Sequence, residues 1–126
     1  MPGKFHFELV SPERKIMSEE VAMVTIPGEE GDFGVLAGHS PLLSSIRPGV
    51  ITINRESNDN PKRYFVAGGF ADVTQAQCTV LAEDATDLSL VDVTSLDAEI
   101  AALSSQTDER SAVKLAIARA KRSAIG

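Results

Sequence analysis

Along its first two thirds the chain alternates short apolar stretches with turn residues, and that spacing predicts strands. Phe5, Phe7 and Leu9 alternate with His6 and Glu8, the period of two of a half-buried strand. Ser11-Pro12-Glu13 ends the run. A second apolar stretch covers 21–26 and closes at Pro27-Gly28. Further strands are predicted over 33–36, 42–46, 50–54, 63–67, 71–74 and 78–85. The breaks between them fall at Gly38, Pro48-Gly49, Ser57-Asn58-Asp59-Asn60-Pro61, Gly68-Gly69 and Thr74-Gln75-Ala76-Gln77. Many short strands at this spacing point to an antiparallel sandwich or barrel.

After about Leu90 the period changes. Leu96, Ile100 and Leu103 fall at i, i+4 and i+7, a narrow apolar stripe on a helix that Thr94 or Ser95 can cap. Asp108 can cap a second helix running to about Ala124. On it Val113, Ala116, Ile117, Ala120 and Ala124 share one face, and Arg110, Lys114 and Lys121 lie within about 40° of each other along its edge. Helices this short are marginal alone in water and need tertiary contacts. The expectation is a mostly β fold in two parts: a β domain over 1–87, then a weakly held two-helix hairpin over 88–126.

Charge divides at the same place. The chain has 126 residues and a net charge of −6. Residues 1–108 carry seven basic and seventeen acidic groups, whereas 109–126 carry five basic and one acidic. An acidic body argues against nucleic acid as partner. A basic tail reads either as a solvated helix or as a segment that docks on an acidic surface. No apolar run reaches the roughly 20 residues of a membrane span, and Met1-Pro2-Gly3-Lys4-Phe5-His6 lacks the apolar core of a signal peptide. Contact with a membrane is therefore expected only through a complex.

Candidate chemistry is sparse. The two histidines, His6 and His39, have no second ligand at metal spacing, so no metal site is predicted. Cys78, the one cysteine, sits among Gln77, Thr79, Val80 and Leu81 and reads as a small core residue; a single cysteine fits a reducing compartment. The loop Gly28-Glu29-Glu30-Gly31-Asp32-Phe33-Gly34 is glycine-rich, but it lacks the Gly-Lys-Ser/Thr ending of a phosphate cradle and its acids would repel phosphate. No catalytic residue and no cofactor is predicted. The same loop, continuing to Leu43 with Gly38, His39 and Pro41, reads as a recognition surface or as a hairpin tip that merely joins strands.

This segment resembles the signature of the epsilon subunits of bacterial F-type rotary ATP synthases: an Ile-Pro-Gly turn, Glu-Gly-x-x-Gly, and Gly-His-x-Pro-Leu-Leu. Leu9-Val10-Ser11-Pro12, Pro48-Gly49 with Val50-Ile51-Thr52-Ile53, Val66-Ala67-Gly68-Gly69-Phe70-Ala71-Asp72-Val73 and Val80-Leu81-Ala82-Glu83-Asp84-Ala85 agree in order and spacing. The resemblance covers 5–87 well and the tail more loosely. It implies a flattened antiparallel β-sandwich of about ten strands followed by a two-helix hairpin. It also implies a non-catalytic rotor subunit on the cytoplasmic face of the bacterial inner membrane, bound to the gamma subunit and resting on the polar loops of the c-ring. By motif match, Glu29, Glu30, Gly31, Asp32, Phe33 and His39 fall in the loops facing the c-ring.

The resemblance further implies a tail that reaches the catalytic beta subunits transiently and restrains ATP hydrolysis; the basic edge of Arg110, Lys114 and Lys121 is then expected to make its contacts. Some family members bind ATP through Ile/Leu-Asp-x-x-Arg-Ala; here Leu96-Asp97-Ala98-Glu99-Ile100-Ala101 puts Ile100 where the arginine would stand, so negligible ATP binding is expected, and a tail somewhat short for the family leads to an expectation of only weak inhibition. Two other readings compete with that of a coupling subunit. Ile100 counts against a nucleotide-sensing module, and the lack of any partner for His39 counts against a small enzyme using it as a base.

Overall fold

A computed structural model describes residues 3–56 and 60–125; the expected turn residues Ser57, Asn58 and Asp59 lie outside them. The strands are β1 (Phe5–Val10), β2 (Lys15–Val21), β3 (Met23–Gly28), β4 (Gly31–Val35), β5 (Leu42–Ile46), β6 (Gly49–Asn54), β7 (Lys62–Val66), β8 (Gly69–Val73), β9 (Gln77–Ala82) and β10 (Ala85–Asp87). A short 3-10 turn, Leu88–Leu90, leads into α1 (Val93–Ser104) and α2 (Glu109–Ile125). The strands form a β-sandwich in the order β10-β7-β6-β3-β5-β8-β9-β1-β2, with β4 hydrogen-bonded to β3. Every pair is antiparallel except β1 with β9, which run parallel.

Alternation builds the core as the sequence predicts. Phe5, Phe7 and Leu9 point inward from β1, Ile51 and Ile53 from β6, and Cys78, Val80 and Ala82 from β9, all buried in one cluster. Two elements escape the sequence pattern. On β2, Met17 and Val21 point into the core while Glu19, between them, faces the same way. Its carboxylate is taken up by Arg55 Nε at 2.8 Å, so an inward acid conceals the strand. The stretch 78–85 is two strands rather than one, because Glu83 N–H donates to Gly68 O at 3.1 Å and Ala67 N–H to Asp84 O at 3.2 Å, turning the chain between β9 and β10.

Two glycines set the sandwich's geometry. Gly69 has φ +145°, a conformation that L side chains rarely adopt, and a Cβ there would collide with the Leu81 carbonyl of the neighbouring strand. At Gly28 a Cβ would lie 2.8 Å from both Gly31 O and the Phe33 ring, so only glycine lets the ring close over the backbone.

The cap of α1 is Asp92, upstream of Thr94 and Ser95. Those two residues donate instead, Thr94 N–H to Asp92 Oδ1 at 3.0 Å and Ser95 O–H to Oδ2 at 2.9 Å. Asp108 caps α2 as expected, accepting from Ser111 N–H at 3.1 Å and from its hydroxyl at 2.7 Å. These bonds hold both carboxyls below their ordinary values, so the caps weaken as pH falls through the carboxylate range. Between the helices Leu96, Leu103 and Ala118 are buried, with Ile100, Leu115 and Ile125 packed around them. The face of α2 against α1 thus runs through Ser111, Leu115 and Ala118. The stripe through Val113, Ile117 and Ala124 is turned about 120–160° away from it, taking 100° per residue.

The C-terminal half of α2 accounts for Phe65. Tyr64 and Val66 point into the sandwich core, so Phe65 stands on the outer face of β7, yet it is only 2% exposed. Lys121 of α2 lies over its ring, 5.9 Å from the centroid. A chain ending at Asp87 should keep one cooperative thermal transition while exposing Phe65. Its stability should fall by about 2 kcal/mol, or roughly 8–16 °C in Tm for a domain of this size. A molten or aggregating fragment in calorimetry would show that the hairpin is part of the fold's core.

Candidate interaction surfaces

Three surfaces remain once the core is accounted for. The first is the acidic end of the sandwich. The β3–β4 hairpin turns at Glu29 and Glu30, both exposed. Arg47 pins this tip, donating to Gly28 O and to Asp32 Oδ1, each at 2.5 Å. Asp32 is therefore neutralised by an ion pair, and Glu29 and Glu30 stand without one among the described residues. The backbone bonds of Glu83 and Ala67 bring Glu83 and Asp84 to this same end, beside Gly68. Gly28 to Phe33 and Leu42 to Ser45 line a shallow groove behind the tip.

His39 does not join this tip. From Gly31 the chain runs down β4, turns through 36–41 and climbs β5 to Ile46, which pairs with Gly28. His39 is thus at the far end of β5, some 15 Å away at about 3.3 Å per residue. There its Nδ1–H donates to Ser40 O at 2.6 Å, and neighbouring Gly38 N–H donates to Gln75 O at 3.0 Å. Of the six residues expected to form one loop surface, the structure gathers Glu29, Glu30, Gly31, Asp32 and Phe33.

The second surface is an apolar strip on the outer face of β8, β9 and β1. Phe70 pairs directly with Leu81, and Leu81 with Val10. Phe70 and Leu81 are each 53% exposed. Ser45 is the next residue across from Phe70, and its carbonyl accepts from Glu29 N–H at 3.0 Å, so the strip adjoins the acidic tip. Sequence reasoning missed this strip. The signal was phase: Ala71 and Val73 point inward, so Phe70 must point out, and Leu81 is out of step with Val80 and Ala82 in the same way.

The third surface is the docked tail. Arg63 Nη1 donates to Ala124 O at 2.9 Å, a cation at the negative end of the α2 dipole. The three basic residues of the predicted edge therefore divide. Lys121 packs over Phe65, while Arg110 and Lys114 stand exposed with Val113 at the other end of the helix. On α1, Ile100 packs against the hairpin core and Asp97 is bound to Arg122 at 2.9 Å. The position of the missing arginine is filled by apolar packing.

None of these surfaces offers catalytic chemistry. Cys78 is fully buried, and burial pushes its thiol up to about 12, so it holds its proton at physiological pH. Among the described residues no cluster of His, Cys, Asp and Glu could hold a metal ion, and no helix is long and apolar enough to cross a membrane.

Known proteins resemble this chain in sequence and in fold. Residues 4–87 match the model of the ATP synthase delta/epsilon chain β-sandwich domain. The chain is 52% identical over 101 residues to the ATP synthase epsilon chain of Parvibaculum lavamentivorans, covering 80% of this chain and 76% of that one. To the epsilon chain of Rhodospirillum centenum it is 47% identical over 110 residues, covering 86% and 73%. Among solved structures it resembles a chain of the Euglena gracilis mitochondrial ATP synthase, an OSCP/F1/c-ring assembly, at TM-score 0.74 and 29% identity, covering 94% of this chain and 76% of that one. A chain of the Tetrahymena thermophila mitochondrial ATP synthase central stalk and c-ring shares the fold, at TM-score 0.66 and 13% identity, covering 99% and 98%.

The docked tail generates a test. An exposed cation–π contact contributes about 0.5–1 kcal/mol and a cation at a helix C-terminus about 0.3–1 kcal/mol. Combining Arg63→Ala with Lys121→Glu should therefore raise the released fraction of the hairpin roughly four- to thirtyfold. Chymotryptic cleavage after Leu115 should accelerate by the same factor, with the sandwich's thermal transition still cooperative. Unchanged cleavage would mean that other contacts hold the tail.

Proposed function

The chain belongs to the ATP synthase epsilon chain family, non-catalytic subunits of the central stalk, and we propose that it couples the rotor through two adjoining surfaces. The apolar strip of Val10, Phe70 and Leu81 docks on the gamma subunit. The acidic tip at Glu29 and Glu30, with Glu83 and Asp84 beside it, meets basic residues in the polar loops of the c-ring. In this reading Gly31, Asp32 and Phe33 shape and brace the tip, and His39 belongs to the opposite end of the sandwich. The observation that carries it is the pairing of Phe70 with Leu81, two large apolar side chains left more than half exposed side by side. Exposed apolar groups so arranged, next to charged groups, have the anatomy of an interface centre with a polar rim. Charge opposition at the tip would set orientation more than affinity.

The complex is membrane-bound, and the chain would reach the membrane only through it, on the cytoplasmic face. The tail supplies a modest brake on ATP hydrolysis when the hairpin leaves the sandwich. Arg110 and Lys114 then meet an acidic stretch on the catalytic beta subunits. Lys121 works in the other direction, since its contact with Phe65 keeps the hairpin docked. The two sandwich surfaces, rather than the tail, carry coupling.

Replacing Phe70 and Leu81 by Asp should weaken copurification with gamma more than thirtyfold, since truncating a buried anchor costs roughly 2 kcal/mol or more. Leu90→Asp, 81% exposed and away from the strip, serves as control and should leave binding unchanged. Retention of gamma by a folded Phe70→Asp/Leu81→Asp variant would overturn this assignment. For the tail, Arg110→Glu with Lys114→Glu should raise hydrolysis about two- to fivefold at low salt, because exposed pairs contribute only about 0–1 kcal/mol each. The difference should shrink as the screening length falls from about 10 Å at 0.1 M to about 3 Å at 1 M. Proton-driven synthesis should stay near normal; hydrolysis indifferent to both charges would reduce them to solvated surface.

A further inference from the structure

One network on the sandwich serves neither docking surface. His6 is on the outward side of β1, opposite Glu20 of β2 and beside Gln77 of β9. Its Nδ1 is 2.8 Å from Glu20 Oε2, and its Nε2 is 3.1 Å from both Glu8 Oε1 and Ser18 Oγ. Lys15 Nζ donates to the same Glu8 oxygen at 3.2 Å. These are the charged groups facing the imidazole: Glu8 from its own strand, with Glu20 and, through Glu8, Lys15 from β2. From β9 it meets the uncharged Gln77 and Thr79, and Asp72 of β8 stands one strand further out, opposite Thr79. β2 is the end strand of the sheet and, among the described residues, is paired with β1 alone.

We propose that His6 is a proton-operated fastener for the edge strand β2, closed when the imidazole carries both protons and loosened when it gives one up. The imidazolium donates from both nitrogens at once, joining Glu8 of β1 and Glu20 of β2 through one ring. A neutral ring has a single N–H. With its proton on Nε2, the ring turns the Nδ1 lone pair toward Glu20 and the tie to β2 is lost; with it on Nδ1, the tie to Glu20 persists but is no longer an ion pair, and so is weaker. The bond to Glu20 first, and that to Glu8 second, hold the imidazole above its ordinary value of about 6.5. The bond to His6, followed by that to Lys15, holds the Glu8 carboxyl below its own. A group raised on folding gives its full grip below the unfolded value, about 6.5, and loses it as pH climbs through the folded one. The edge therefore loosens toward the alkaline side. An unfastened edge strand is where a sheet accepts another strand.

Hydrogen exchange on the full chain, wild type against His6→Gln, at pH 6 and pH 8, reads the fastener directly. Taking the ratio of the two proteins at each pH removes the intrinsic pH dependence of exchange, and the β6 amides report global folding. Protection of residues 15–21 should be about two- to fivefold greater in the wild type at pH 6 and nearly equal at pH 8, with β6 unaffected. Glu20→Gln should reproduce the loss, and it decides the matter if His6→Gln does not fold. An NMR titration should place the imidazole above its ordinary value. A β2 ratio that is the same at both pH values, or an imidazole that titrates at or below about 6.5, would overturn the proposal.

Discussion

The sandwich depends on one narrow junction. Its two halves, β10-β7-β6-β3 and β5-β8-β9-β1-β2, share a single hydrogen-bonded network because β3 touches β5 at Gly28 and Ile46. Two backbone bonds bracket that pair, Glu29 N–H to Ser45 O and Arg47 N–H to Pro27 O, each at 3.0 Å. The Arg47 side chain then crosses back over the seam to Gly28 O and Asp32. Gly28 has no freedom to become anything larger, since the Phe33 ring occupies the space of a side chain. The junction that closes the fold is thus also the base of the acidic tip. A glycine-rich, acid-rich loop can be held in one shape here because its root is part of the sheet.

Two aromatic residues out of phase with the core define the outer layers. Phe65 on β7 and Phe70 on β8 each stand on the side of the strand that alternation assigns to solvent. One is 2% exposed and the other 53%. Phe65 is covered by the chain's own second helix. Phe70, paired with Leu81, is covered by nothing among the described residues, and that asymmetry is the physical basis for assigning it to another subunit. The cost of leaving such a pair in water is modest but disappears on assembly, which favours the assembled state.

Much of the fold was legible because burial in a two-layer sandwich imposes a period of two. The β1 run of Phe5, Phe7 and Leu9, the β6 pair Ile51 and Ile53, and the Leu96-Ile100-Leu103 stripe were readable from spacing alone. β2 was not, because Glu19 occupies an inward position and its charge is compensated by Arg55, a residue distant in sequence. The acidic tip was legible as a motif, yet His39 was grouped with it because neighbours in sequence are separated by the length of β5. Arg110, Lys114 and Lys121 all lie on α2. Their division into Lys121 against Phe65 and Arg110 with Lys114 in solvent depends on where the helix crosses the sandwich, which no helical wheel contains. Val10, Phe70 and Leu81 lie on three strands and meet only through register.

The docking of α2 across β6 and β7 also sets how many neighbours the sandwich can have. With Lys121 over Phe65 and Arg63 on the last turn of the helix, one of the two broad faces is already taken, and only the other face and the acidic tip are open to large partners. Lifting the hairpin frees a second face whose central residue is an aromatic ring flanked by Val50 and Thr86, its cross-strand neighbours. The valence of this subunit is therefore a property of its conformation, set by the position of its own final helix.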